Sequence, residues 1–355
     1  MTSTVLVLGA RGRAGLAIAR AFADAGWRVV GHMRPGASVP ADARDDARIQ
    51  WITSDLYDTN TLVSHVQALG GADVVVHALN PAYTHKAWKA QVLPMAEASI
   101  RATRALSATL MVVGNIYNFG EGMPTLLRED TPQRARTIKG QIRIAMEAHL
   151  QRSGVRAIVI RAGDFFGSGK GTWFDQAIVK GIQQGVFTYP GHKDVATAWA
   201  YLPDLGRAFV AVAAKRTQLK PFEVLHFAGS SVTGAQWVEA ITPIARQHAW
   251  IGSDEALRYK TMPWAVIKLL AWVNPTLAAL VEMRYLWDTP HALDNRKLVA
   301  LIGAEPHTPL PQALQATLND LGLCKPPALL TSPAVAPVGA SHGAPWLGVP
   351  PRGHR

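Results

Sequence analysis

Along the first two-thirds of the chain, short apolar runs alternate with longer segments in which apolar positions recur every three or four residues. The runs are residues 5–8 (V-L-V-L), 27–32 (W-R-V-V-G-H), 49–53, 72–78 (A-D-V-V-V-H-A), 109–113, 155–161 and 222–228. Their length and β-branched content predict strands, and the segments between them, residues 16–25, 86–108 and 138–151, predict helices. Pro94 predicts a kink or a late start in the second of these. The run 72–78 is apolar at nearly every position, which fits a central parallel strand buried on both faces. Strands alternating with helices, joined by right-handed crossovers, predict an α/β fold with a doubly wound parallel sheet.

Later segments change the pattern. Residues 173–184 have helical spacing, residues 187–194 and 197–201 read as strands, and residues 233–247 and most of 264–323 read as helices. The expected division is an α/β domain over residues 1–185, to whose sheet the strand 222–228 returns, and a smaller, mainly helical part over 186–323. Beyond Asp320 no acidic residue occurs, and the last 30 residues hold seven prolines. Residues 324–355 are therefore expected to be a disordered tail.

Residues 262–283 are the most membrane-like stretch, but Lys268 and the Asn274-Pro275 pair interrupt them and no run of about 18 apolar residues remains. A buried helix pair or a cap over a pocket is the preferred reading, with membrane-surface contact the weaker alternative. No charged leader precedes the first apolar run, so a secretory signal is not expected, and the expected location is the cytoplasm.

The first strand runs into three glycines spaced three apart, Gly9, Gly12 and Gly15, and then into a helix. Strand, tight turn and helix form a cradle in which the backbone approaches a pyrophosphate and the helix N-terminus faces its charge. No acid lies between Trp27 and Pro40 to accept a ribose 2′-hydroxyl. Arg34 stands after the second strand instead, with Arg11 and Arg13 inside the turn. Guanidinium groups match a 2′-phosphate, which favours NADP(H) over NAD(H).

Composition sharpens this picture modestly. Of 355 residues, 48% are apolar and 17% charged, which fits a folded chain with a sizeable core. One cysteine, Cys324, excludes an intramolecular disulfide or a Cys-x-x-Cys site. The net charge of +11 is spread along the chain without a nucleic-acid-binding motif, and the twelve histidines show no metal-ligand spacing, so neither nucleic acid nor a metal is expected.

The glycine turn, Asp55-Leu56, His77-Ala78, Asn115-Ile116-Tyr117, the segment R-A-G-D-F-F-G beginning at Arg161 and the segment Y-L-P-D-L-G-R-A beginning at Tyr201 occur in the order found in extended short-chain dehydrogenase/reductases. The chain resembles the NAD-dependent epimerase/dehydratase type over roughly residues 5–322. The resemblance implies a Rossmann-type sheet and a dinucleotide held by Gly9, Arg11, Gly12, Arg13, Gly15, Arg34, Asp55, Leu56, Ala78, Asn80 and Arg143. It also implies a catalytic Tyr-x-x-x-Lys, and here the sequence departs from it. With Glu147 as the anchor, Lys139 and Arg143 stand at the tyrosine and lysine positions, and residues 111–115 contain no hydroxyl. Lys139 could still serve as an acid or base if burial lowered its pKa. Tyr117 is the remaining phenol beside the fifth strand, so Tyr117, Lys139 and Arg143 are the catalytic candidates. Tyr83, His85, Asn115, Tyr189 and Trp199 are the expected substrate-pocket residues.

The expected function is hydride transfer on a small, moderately apolar carbonyl or hydroxyl compound without the usual Ser-Tyr-Lys machinery. The alternative is a non-catalytic NADP(H)-sensing regulatory protein resembling the NmrA-like branch. A homodimer is compatible with the sequence.

Overall fold

The computed structural model describes residues 2–324, which form one compact unit. The proposed tail lies outside the described residues, apart from Cys324. At the centre is β1 (Thr4–Leu8), every residue of which is buried. Its alternation divides the core. Val5 and Val7 face one helical layer with Ile18, Phe22, Leu205 and Phe209. Leu6 and Leu8 face the other with Val75, Trp88, Ile100 and Met146. A strand apolar at every position can be satisfied only between two such layers.

β1 pairs in parallel with β2 (Arg28–Met33) on one side and β4 (Val74–His77) on the other. The seven-stranded sheet runs in the order Phe222–His226, Ala157–Arg161, β5 (Thr109–Gly114), β4, β1, β2, β3 (Ile49–Thr53), with all pairs parallel. The chain winds outward in one direction through β2 and β3 and in the other through β4 and β5. A crevice therefore opens at the C-terminal ends of β1 and β4, where open α/β sheets bind ligands.

Helices α1 (Arg13–Asp24) and α5 (Leu202–Ala214) pack against each other on one face, and Gly206 permits their close approach: a Cβ there would lie 2.9 Å from the Ala17 carbonyl oxygen. On the other face lie α2 (Thr59–Ala68), α3 (His85–Ala105) and α4 (Ile138–Arg152). Because α5 and the strand Phe222–His226 join the first layer and the large sheet, residues 186–323 do not form a separate contiguous body.

Two further expectations need correction. The late start is not seen: α3 begins at His85 and runs past Pro94 for 21 residues. The proline deprives Ala90 of a helical partner for its carbonyl, but Ala90 is exposed, so water can replace that bond. Residues 173–184 form no regular α-helix; they fold as a π turn over Phe174–Ile178 and a 3₁₀ turn over Ile182–Gln184. The later helical part includes α6 (Gly234–Gln247), α7 (Trp264–Leu270) and α8 (Pro275–Glu282). No helix among the described residues is long and apolar enough to cross a membrane.

Candidate functional site

Gly9 leaves β1 with φ +86°, and a Cβ on it would lie 2.6 Å from the Ala78 carbonyl oxygen at the end of β4. A Cβ on Gly15 would lie 2.2 Å from the Gly9 carbonyl oxygen. Gly12 closes the turn, donating its N–H to Gly9 at 2.9 Å, and stands as the N-cap of α1 with no side-chain cap. The first N–H groups of α1 are thus left for an anion, and the turn can be as tight as it is only without side chains.

Beside this cradle lies a cavity of about 830 Å³ lined by Gly9, Arg11, Gly12, Arg13, Arg34, Asp55, Leu56, Ala78, Asn80, Tyr83, Asn115, Tyr117 and Arg143. The structure therefore brings together most of the residues proposed from sequence. Gly15 stands behind the turn and shapes it rather than lining the cavity. The three arginines differ in what they do. Arg34 is exposed at the end of β2 and its side chain makes no hydrogen bond among the described residues, while Arg11 donates from Nε to Ser38 O at 2.7 Å. Arg13 instead reaches across to Ser168 O at 3.0 Å, bridging the glycine turn to the loop that follows Phe166. His32 lies near the C-terminal end of β2, buried, with Nε2 donating to Ser54 O at 3.0 Å; burial pushes its pKa down, which keeps the ring neutral.

The inner end of the cavity is aromatic. Trp88 stacks on Tyr117 at 6.0 Å between ring centres, and Tyr83 meets Trp173 edge-on at 5.4 Å. Asn115 accepts the Tyr117 N–H at 3.1 Å and so shapes the turn that follows β5. The Arg143 guanidinium lies over the Trp88 ring at 5.0 Å, and its buried Nε has no hydrogen-bond partner. A cation with an unused donor, facing a cavity beside an uncapped helix end and a side-chain-free turn, fits an anionic dinucleotide.

Sequence reasoning did not single out Asp164. Strand Ala157–Arg161 ends at the sheet's C-terminal edge, and Gly163 allows the chain to cross tightly there, since a Cβ on it would sit 2.0 Å from the Ala198 carbonyl oxygen. Asp164 follows, lines the cavity with Tyr83, Tyr117 and Arg143, and accepts the Trp287 indole N–H at 2.7 Å. Burial raises its pKa to about 6. Burial first, and then the nearby Asp164 charge, push the Tyr117 hydroxyl up to about 12.

Four expected site residues lie elsewhere. Lys139 is fully buried outside the cavity lining, its Nζ 3.2 Å from Ala279 O and 3.5 Å from Glu282 Oε2, over the Tyr83 ring at 4.4 Å. Burial lowers its pKa to about 8, with Glu282 acting in the opposite direction. His85 pairs with the same Glu282 at 3.0 Å. Tyr189 and Trp199 lie within the aromatic core around Phe174 and Trp237, and Thr197 Oγ1 satisfies both of their polar atoms. The pocket is built instead from Trp88, Gln91, Met95, Trp173, Gln176 and Thr276 beside the expected residues.

Sheet order, glycine cradle and crevice define a Rossmann-type α/β protein of the short-chain dehydrogenase/reductase kind. The chain belongs to the NAD dependent epimerase/dehydratase family, whose family model matches residues 5–228. Among solved structures it is similar to the Bordetella bronchiseptica enzyme WbmH in complex with NAD+, with a TM-score of 0.67 and 16% identity over 90% of this chain and 98% of that one. It is also similar to UDP-glucuronic acid 4-epimerase from Bacillus cereus in complex with NAD, with a TM-score of 0.68 and 15% identity over 89% and 98%. Comparison with curated protein sequences gives no match.

Proposed function

We propose that the chain is an oxidoreductase or epimerase that takes NADP(H) in preference to NAD(H), acts on a small, moderately apolar carbonyl or hydroxyl compound, and uses Asp164 to move the proton at the substrate oxygen. The observation that carries this reading is the carboxyl of Asp164 in the same cavity as the glycine cradle. Gly9, Gly12 and the N-terminus of α1 would hold the pyrophosphate, Arg34 and Arg11 the 2′-phosphate, Asp55 and Leu56 the adenosine, and Arg143 the inner ribose or a phosphate. The bound dinucleotide supplies or accepts the hydride.

The chain's own residues supply the rest. Tyr83, Trp88, Tyr117 and Trp173 exclude water and favour a substrate with apolar surface. Tyr117, whose hydroxyl stays protonated at neutral pH, donates a hydrogen bond to the substrate oxygen. Asp164 exchanges the proton, because a carboxyl titrating near 6 is available in both forms near neutrality.

The test is NADPH oxidation over a panel of carbonyl compounds, with NADPH binding measured in parallel. Asp164→Asn is expected to reduce kcat about a hundredfold or more with binding retained. Reduction needs the protonated acid, so its rate falls as pH rises through about 6; the reverse oxidation rises over the same window. Full activity in Asp164→Asn would remove that residue from the mechanism. Saturable NADPH binding without turnover of any compound would favour the second reading, a non-catalytic NADP(H)-responsive protein. The burial of Lys139 at the position where the family resemblance implies the catalytic tyrosine supports that alternative.

A further inference from the structure

Eight large apolar side chains are exposed among the described residues, and five of them fall between positions 266 and 273: Val266 at 54%, Leu269 at 72%, Leu270 at 47%, Trp272 at 90% and Val273 at 82%. They occupy the outer end of the hairpin made by α7 and α8. The roots of that hairpin are fixed. Trp264 is buried with its indole N–H on Pro190 O at 2.6 Å, Ala279 is fully buried and receives Lys139 at its carbonyl, and Leu280 is buried beside it. The apolar tip is therefore held out on an anchored support, and a tryptophan nine-tenths exposed at its end has no packing role among the described residues.

Along the chain, the charges that flank the tip have one sign. No acidic residue lies between Glu255 and Glu282, whereas Arg258, Lys260 and Lys268 are all exposed along that stretch. Lys268 and the Asn274-Pro275 break prevent a membrane-crossing helix, but they suit a hairpin that lies at an interface, with apolar side chains among the acyl chains and ammonium groups at headgroup level. A second copy of this chain would have to bring cations against cations across a two-fold contact. An anionic lipid surface meets both the apolar tip and the flanking charge.

We propose that the tip of the α7–α8 hairpin docks the protein onto the surface of an anionic phospholipid bilayer. The test is co-sedimentation of the full chain with phosphatidylcholine vesicles, with and without phosphatidylglycerol. The protein is expected to pellet with the phosphatidylglycerol vesicles, more weakly with phosphatidylcholine alone, and less at high salt. Replacing Trp272 and Val273 together by serine is expected to lower vesicle partitioning about tenfold or more. Lys268→Glu is expected to weaken binding to the anionic vesicles only. Neither variant touches the cavity, so unchanged thermal melting and NADPH binding would show that the fold is intact. Wild-type protein that stays in the supernatant with both vesicle types would overturn the proposal, as would pelleting that the double substitution leaves unchanged. Sedimentation without lipid supplies the remaining outcome: self-association lost on the double substitution would make the patch an interface between copies and would also overturn it.

Discussion

The chemistry proposed for the cavity turns on a single carboxyl. Burial lifts Asp164 from the ordinary 3.8 to about 6, against the opposing hydrogen bond from Trp287. Between those values the folded protein holds a proton that the unfolded chain releases. The contribution of this residue to stability is therefore full below pH 4, declines from about pH 4 to 6, and stays lowered above that. A rise of that size corresponds to roughly 3 kcal/mol. Asn at this position can still accept the indole N–H and carries no charge to desolvate, so Asp164→Asn is expected to raise the unfolding free energy at pH 7 by about 1–3 kcal/mol. Urea unfolding should show the gain at pH 7 and little of it at pH 4; an equal effect at both would mean that the buried charge is not its source. A substitution that lowers turnover while stabilising the fold is the behaviour expected of a residue kept for function. Asp164 stands in plain sight in the sequence, within R-A-G-D-F-F-G, yet nothing local marks it. Its raised pKa comes from what the tertiary fold places around it.

At the level of elements, Glu282 ties α8 to the main body. Its carboxylate accepts the backbone N–H of Ile138 at the start of α4, pairs with His85 at the start of α3, and lies 3.5 Å from the buried Lys139 ammonium. Removing it strands a buried cation, so Glu282→Ala is expected to cost about 3 kcal/mol. Lys139→Met in that background should recover part of the loss, because the uncompensated ammonium goes with it. A double-mutant cycle measured by urea unfolding checks this, and strictly additive costs would mean that the two side chains do not couple. The elements themselves differ in legibility. β1 through β5 could be read from apolar runs because a strand buried on both faces needs no polar alternation. Tyr189 and Trp199 are expected in the pocket and lie on the strands predicted at 187–194 and 197–201, but the strand Thr197–Tyr201 is buried and carries Trp199 into the core. Lys139 shows the same limit: its place on α4 was readable, while the side on which its amine emerges depends on α8, some 140 residues away.

For the molecule as a whole, the domain boundary was the least legible feature. The return of Phe222–His226 to the large sheet is readable as an apolar run, but the return of α5 to the first layer depends on long-range packing that no local composition shift announces. The same interleaving has a thermodynamic consequence. The cavity is walled by loops after β1, β2, β3, β4 and β5, by Arg143 of α4, by residues 162–176 and by Thr276 of α8. A ligand that fills it bridges parts that are distant in sequence but lie within one compact unit, so binding should raise a single unfolding transition rather than split it. At a hundredfold excess over Kd, NADPH is expected to add about 2.7 kcal/mol, a rise of about 5 °C for a unit of this size. NADH at equal concentration should add less, since a bare ribose hydroxyl offers Arg34 and Arg11 only a neutral acceptor in place of a charged phosphate. Arg34→Ala should narrow that gap mainly by lowering the NADPH shift. Scanning calorimetry decides the matter: equal shifts for the two nucleotides in wild type would remove the 2′-phosphate preference, and no shift with either would remove dinucleotide binding itself.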